Sequence, residues 1–171
     1  KAGVKAGASM VNDISSGDMD DAMIPVVAAL RTPYICMHMQ GTPDTMQKDP
    51  QYENVSLTVL DYLAGKVDQC RKAGMDDIII DPGFGFGKTI AHNFALLQSL
   101  PALQIIKRPV MVGLSRKSTI YKTLHITAEE ALNGTTVLHT IALMNGANIL
   151  RVHDVRAAKE AIDLFMAYLS T

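Results

Sequence analysis

Asp77-Ile-Ile-Ile-Asp81-Pro-Gly-Phe-Gly-Phe-Gly-Lys-Thr89 decides how the rest of the 171-residue chain is read. Three consecutive isoleucines without polar alternation have the pattern of a strand covered on both faces. A carboxylate, Asp81, stands where that strand meets its loop. The loop is rich in glycine, and helical spacing over 91–100 follows it. The unit is therefore a buried strand, a polar-ended loop and a helix, and it recurs in both directions along the chain.

Downstream, the apolar run 109–114 ends on Ser115-Arg-Lys-Ser118. Thr127 and Glu130 have capping-box spacing and predict a helix that runs to Asn145 and stops at Gly146. The last strand is read in Asn148-Ile-Leu-Arg-Val-His153, and Asp154 is placed to cap a final helix to about Leu169. Upstream, Val55, Leu57, Val59, Leu60, Leu63 and Val67 give helical spacing over 52–73, with Gly74 as the stop. Before it come a loop over 40–50, a strand over 34–38, a helix over 19–31 and a first strand over 8–14. Residues 1–7 read as the end of a helix, so the opening looks cut.

Five strand–helix units in one domain, 1–171, predict a parallel α/β sheet covered by helices. Such a sheet is either open and doubly wound or part of a closed barrel. Every predicted strand ends in hydrogen-bonding or ionisable groups: Asn12 and Asp13, His38, Asp81, Ser115 to Lys117, then Arg151 and His153. In a (β/α)8 TIM barrel all strand C-termini open onto one functional face. In an open sheet only strands beside the switch point need such residues. The pattern favours the barrel. Eight units take about 250 residues, so this chain is expected to supply the last five.

Composition narrows the function classes. A formal net charge of -1 gives no broad footprint for nucleic acid or a membrane surface. Cys36 and Cys70 offer neither a disulfide framework nor metal spacing, and the five histidines show no ligand spacing. No metal ligands are expected in this chain, and reduced thiols point to the cytoplasm. Nothing approaches the ~18 consecutive apolar residues of a membrane span.

Three segments carry candidate chemistry. Asp81 can accept two N–H donors from a planar heterocycle, and glycines let backbone approach a ligand closely. Lys88 falls one residue early for a phosphate-binding G-x-x-x-x-G-K-[ST] loop, and the spacing also breaks G-x-G-x-x-G. Gly113-Leu-Ser-Arg-Lys-Ser118 sets two cations and two hydroxyls directly after a buried strand. Arg151 and His153, two apart on a strand, point to one side and can hold an anion. Asn12 and Asp13 are not separable on physics alone: one is a ligand group and the other a cap. Met37 reads as core, and His38 as a group satisfying a backbone carbonyl.

These segments, with Gly-Ala-Ser-Met-Val-Asn-Asp-Ile and Met-His-Met-Gln-Gly, resemble the dihydropteroate synthases over essentially all 171 residues. The resemblance implies a (β/α)8 barrel that joins 6-hydroxymethyl-7,8-dihydropterin diphosphate to 4-aminobenzoate. Asp81 and Asn12 would hold the pterin's pyrimidine edge, with Met37 and Gly113 lining its pocket. Gly85 and Arg116 lie on the two loops that frame it. Lys117 would reach the pterin carbonyl and ring nitrogen. Arg151 and His153 would bind the diphosphate and, with Lys117, form the catalytic group. Phe86 and the stem of Lys117 would flank the aminobenzoate ring, with Ser118 near its carboxylate. Mg²⁺ would accompany the diphosphate, held from a part of the family's barrel not in this chain, and a homodimer would form through the C-terminal helices. Two other readings differ in what they require. A methyltetrahydrofolate-binding methyltransferase barrel would share the Asp81 contact but has no diphosphate for Arg151 and His153. A truncated barrel without activity would keep the fold alone.

Overall fold

The computed structural model describes residues 1–171. Its elements, in chain order, are α1 (Ala2–Lys5), β1 (Val11–Asp13), α2 (Met23–Leu30), β2 (Tyr34–Met37), α3 (Val55–Lys72), β3 (Ile78–Asp81) and α4 (Ile90–Gln98). A 3-10 segment (Leu100–Ile106) follows, then β4 (Met111–Val112), α5 (Ser118–Leu124), α6 (Leu132–Met144), β5 (Ile149–Leu150) and α7 (Val155–Leu169). The five strands are parallel and lie in sequence order. β1 pairs with β2 and β2 with β3. A single parallel bridge, Ile80 to Val110, leads on to the β4–β5 pair. No neighbour is out of order, so the sheet winds one way, with no switch point of the doubly wound kind.

The register separates two faces. Tyr34, Cys36, Ile78, Ile80, Val110 and Val112 face the helices and join Val59, Leu63, Leu96, Leu100 and Leu103 in one core of 25 residues. The opposite face carries Asn12, Ile35, Met37, Ile79, Asp81 and Met111. Met37 is the register partner of Asp81, and Asn12 that of Ile35. This second face is apolar toward the strand starts and polar at the strand ends. α3 forms where expected. The Asn54 side chain caps its start by accepting from the Ser56 and Leu57 amides, and Gly74 (φ 86°) ends it. The bonds from Gly74 N to Arg71 O and from Met75 N to Cys70 O make the C-terminal wrap that a glycine permits.

Two predicted helix starts move, and one predicted cap is not made. The helix expected from Thr127 begins at Leu132. Glu130 does reach back to the Thr127 amide, at 2.9 Å. But the Ala128 and Glu129 carbonyls turn to the Arg116 guanidinium, at 2.9 and 2.5 Å, and this keeps 127–131 a turn. The helix expected over 19–31 starts at Met23, after turns in which the Asp20 side chain holds the Ala22 amide. Asp154 does precede α7, but makes no cap bond with its side chain because Arg116 holds both carboxylate oxygens. No helix is long and apolar enough to cross a membrane.

Candidate functional site

The strand ends gather the polar residues. At β1 the neighbours Asn12 and Asp13 separate cleanly. The Asp13 carboxylate is buried and accepts from Ser15 N (2.9 Å), Ser15 Oγ (2.8 Å), Gly17 N (2.7 Å) and Tyr34 OH (2.7 Å). Burial pushes its pKa up, yet these donors outweigh that and hold it below the usual carboxylate range. Asp13 is thus the structural member, and Asn12 stands exposed on the inner face. At β2, Met37 is 1 % exposed, and both its amide and its carbonyl bond the Ser16 hydroxyl, at 2.7 and 2.9 Å.

Asp81 closes β3 at 2 % exposure. One carboxylate oxygen accepts from the Gly83 amide at 2.8 Å. Burial drives its pKa up, against the Gly83 bond and the nearby charges of Lys117, Arg151 and Lys88. The following loop can pass here only as glycine. A Cβ on Gly83 would lie 1.9 Å from the His38 carbonyl oxygen, and one on Gly87 2.4 Å from that of Gln40. Asn93 anchors the turn by accepting from Gly85 N at 2.8 Å.

After β4 the chain alternates sharply. Ser115 turns to His153. It accepts from His153 N at 3.2 Å and meets Nδ1 at 2.9 Å. Arg116 adopts a left-handed backbone (φ 52°) and turns outward to Asp154. Lys117 turns in, bonding the Phe84 carbonyl with its ammonium 4.8 Å from the centre of the Phe86 ring. Burial lowers the Lys117 pKa to about 8, against the attraction of Asp81. Gly85 packs on the Lys117 stem, where an added Cβ would lie 3.3 Å from Cδ. Gly113 packs on Arg151, where a Cβ would lie 3.0 Å from Nη2. Ser118 opens α5, half-buried beside Lys117.

Thus Asp81, Gly85, Phe86, Gly113, Lys117 and Arg151 come together, and Met37 and Asn12 lie on the same face. His153 sits one step beyond Arg151, on Ser115. Arg116 does not join them: its guanidinium is taken up by Asp154 and two carbonyls. Its place is a brace between the β4 loop and the start of α7.

Two residues were given no role of their own in the sequence reading. Ser115 fixes the His153 ring. If its hydroxyl gives its proton to Nδ1 while accepting the His153 amide, Nε2 carries a hydrogen that points away from Ser115. Lys88 is 4 % exposed and lies against His38, its Nζ 3.0 Å from Nδ1. Burial brings the Lys88 pKa down to about 7. Burial and the Lys88 charge bring His38 to about 3, so His38 is neutral. His38 therefore faces the Lys88 amino group as well as serving as a carbonyl site.

Comparisons with known proteins bear on the family and the fold. The family described as "Pterin binding enzyme" matches residues 1–153. Dihydropteroate synthase of Escherichia coli K12 is 40% identical over 168 residues, covering 97% of this chain and 59% of that protein. The solved dihydropteroate synthase of Stenotrophomonas maltophilia, with imidazole bound in its active site, superposes with a TM-score of 0.96 at 37% identity. That match covers 99% of this chain and 65% of the other. The enzyme of Xanthomonas albilineans in complex with 7,8-dihydropteroate gives a TM-score of 0.91 at 37% identity, over 99% and 63%. This chain thus spans about three-fifths of the length of such relatives.

Proposed function

We propose that this chain, which belongs to the family of pterin binding enzymes, carries the pterin and diphosphate sites of a dihydropteroate synthase. The observation that carries the reading is Asp81: a carboxylate 2 % exposed at a strand end, ringed by Lys117, Arg151 and Lys88 and faced by a glycine loop. One oxygen is held by Gly83, so the other can meet the N–H pair of an amino-pyrimidinone. The Xanthomonas relative, solved in complex with 7,8-dihydropteroate, supports a pterin-binding role for the shared fold. The five units are read as the last five of a (β/α)8 barrel, in keeping with their one-way order and the length ratio. In that reading the 115–118 loop follows the seventh strand and Arg151 with His153 the eighth, the two places where barrels commonly hold phosphate.

The chemistry follows from charge. Asp81 and Asn12 orient the pterin, Met37 and Gly113 line its pocket, and Lys117 reaches its carbonyl side. The C–O bond breaks with its electron pair going to diphosphate, and cationic character develops on the exocyclic methylene. The neutral arylamine of 4-aminobenzoate attacks that carbon and then releases one N–H proton to water. The aminobenzoate ring lies between Phe86 and the Lys117 stem, with its carboxylate toward Ser118. Arg151 and the His153 Nε2–H stabilise the departing negative charge. No nucleophilic side chain is required. The residues present do not fit a divalent cation: Asp81 lies among three positive groups, and no three His, Cys, Asp or Glu side chains converge. Mg²⁺, the ion expected with the diphosphate, is assigned to protein outside these residues, and no step above passes through it. The methyltransferase reading leaves the Arg151–His153 pair without a task. Incubating the intact protein with both substrates tests the proposal, with 7,8-dihydropteroate and diphosphate forming in equal amounts. Binding of pterin without that product would leave only the binding half.

Ser115 offers a finer test. Ser115→Ala is expected to weaken a diphosphate-bearing pterin about two- to tenfold, the range of one net hydrogen bond. Pterin lacking diphosphate should bind as before. Titration of both ligands gives the comparison, and equal losses would detach Ser115 and His153 from the anion site.

The homodimer is read from α6 and α7. Val137 (50 %), Met144 (65 %), Leu164 (74 %) and Tyr168 (69 %) form an apolar surface that no part of the chain covers. Surfaces of that kind mark contacts. Sedimentation of the intact protein at micromolar concentration is expected to give a dimer that Leu164→Glu splits. A wild-type monomer would overturn the reading.

A further inference from the structure

All five carbonyl oxygens of residues 83–87 are tied down. Phe84 O takes the Lys117 ammonium, Gly85 O the Gln47 amide at 2.7 Å, and Gly87 O the Tyr52 hydroxyl at 2.8 Å. The remaining two, Gly83 O and Phe86 O, go to Lys88 at 2.9 and 3.1 Å. Lys88 does more than its neighbours. The same Nζ reaches His38 Nδ1 at 3.0 Å and His38 O at 3.4 Å, so one buried group bonds the glycine loop to the end of β2. No carboxylate pairs with it; its four acceptors are three carbonyls and a ring nitrogen.

The count of hydrogens explains why a lysine stands here. With His38 in the tautomer that leaves Nδ1 unprotonated, three short acceptors match the three hydrogens of an ammonium, and a neutral amine would leave one unmet. The electrostatics point the same way. Gly83 and Gly87 press the loop onto the backbone of 38–40, so carbonyl oxygens of two segments converge. Their mutual repulsion would open the loop, and a cation among them holds it shut. The position of the loop passes to the ligand groups through two links on the page. Gly83, whose carbonyl Lys88 holds, donates its amide to Asp81. Phe86, whose carbonyl Lys88 also holds, carries the ring beside Lys117.

We propose that Lys88 is a positioning residue of the pterin pocket: a buried cationic cross-link that seats the glycine loop on the end of β2 and thereby sets the Asp81 carboxylate and the Phe86 ring. It touches no substrate. The inference rests on the reading of the Asp81 pocket as the pterin site, and its test keeps the two apart. In the intact protein, Lys88→Met should lower the affinity of a pterin ligand about tenfold, the weight of lost charge-assisted bonds acting at one remove. The decisive comparison is made in an Asp81→Asn background. There Lys88→Met should add little, because its effect runs through Asp81. Amide hydrogen exchange at Gly83 and Phe86 should quicken, while the amides of β2 and β3 stay protected. Lys88→Gln, which keeps two donors, should recover part of the affinity; it also serves if Lys88→Met does not fold. Wild-type affinity in a folded variant would overturn the proposal, as would a loss of equal size in both backgrounds, which marks a fold-wide effect. Should wild-type protein bind no pterin, the pocket reading fails. The exchange measurement then still decides on Lys88: unchanged rates at Gly83 and Phe86 would overturn its role in the loop.

Discussion

Asp81→Asn in the intact protein is expected to weaken a pterin ligand by about 2–4 kcal/mol, roughly thirty- to a thousandfold. The substitution is nearly isosteric and keeps one carbonyl oxygen. The bond from the Gly83 amide, 2.8 Å in the native protein, can therefore persist, and with it the course of the loop. What changes is the second position: an NH₂ donor replaces an acceptor and faces the ligand's N–H. The mismatch is buried, at a residue 2 % exposed, so water cannot repair it. Acidity gives a second signature. Burial raises the Asp81 pKa, and Lys117, Arg151 and Lys88 oppose the rise without cancelling it. As pH falls through that raised value the carboxylate takes a proton and loses acceptor capacity. Native affinity should then decline from a pH above the ordinary carboxylate range. At the other end, Lys117 loses its proton as pH rises through about 8 and becomes a weaker donor to the pterin. Asp81→Asn should abolish the acid limb and leave the alkaline one. Calorimetric titration across pH measures both, and unchanged affinity in the variant would remove Asp81 from the site.

The fate of each predicted residue shows what a sequence can reveal. The five units were legible because short apolar runs such as 78–80, bounded by polar and glycine-rich turns, read as strands, and each was followed by helical spacing. Asp81 was legible because a carboxylate at the end of such a run has few structural excuses. Arg116 was not, since its partner Asp154 lies 38 residues away and only the pairing of β4 with β5 brings them together. The same contact displaced a helix start. The capping pair Thr127 and Glu130 is real, at 2.9 Å, but a guanidinium claims the next carbonyls and the helix waits until Leu132. Local propensity lost there to a tertiary bond. Asn12 and Asp13 were inseparable in sequence because adjacent strand residues differ only in the face they take. The register decides: Asp13 lies with Cys36 and the helices, Asn12 with Ile35 and the open face. Lys88 was legible only as a phosphate-loop lysine with the wrong spacing, and its structural place gave no signal. A lysine after a glycine loop ordinarily points to solvent, and only the convergence of the 83, 86 and 38 carbonyls draws it inside.

Arg151→Ala is expected to weaken a pterin bearing diphosphate by about 1.5–3 kcal/mol, ten- to a hundredfold, with a far smaller effect on pterin that lacks it. Arg151 is exposed and forms no ion pair, unlike Arg116, whose carboxylate partner lies 2.8 Å away. It lies flat on Gly113, where an added Cβ would sit 3.0 Å from its guanidinium. That packing limits its rotamers and keeps the planar fork over the strand ends, the geometry that recognises phosphate oxygens in pairs. Two controls separate an anion site from a structural cation. Because the side chain is open to solvent, the loss in Arg151→Ala should shrink as salt rises. Arg116→Ala, which breaks the brace to Asp154, should instead lower the melting temperature and show no preference between the two ligands. The two variants thus remove one charge each but differ in readout, so a general effect of net charge cannot mimic the result. Equal weakening of both pterins in Arg151→Ala, with an unaltered response to salt, would overturn the anion site and make Arg151 a packing partner of Gly113 alone.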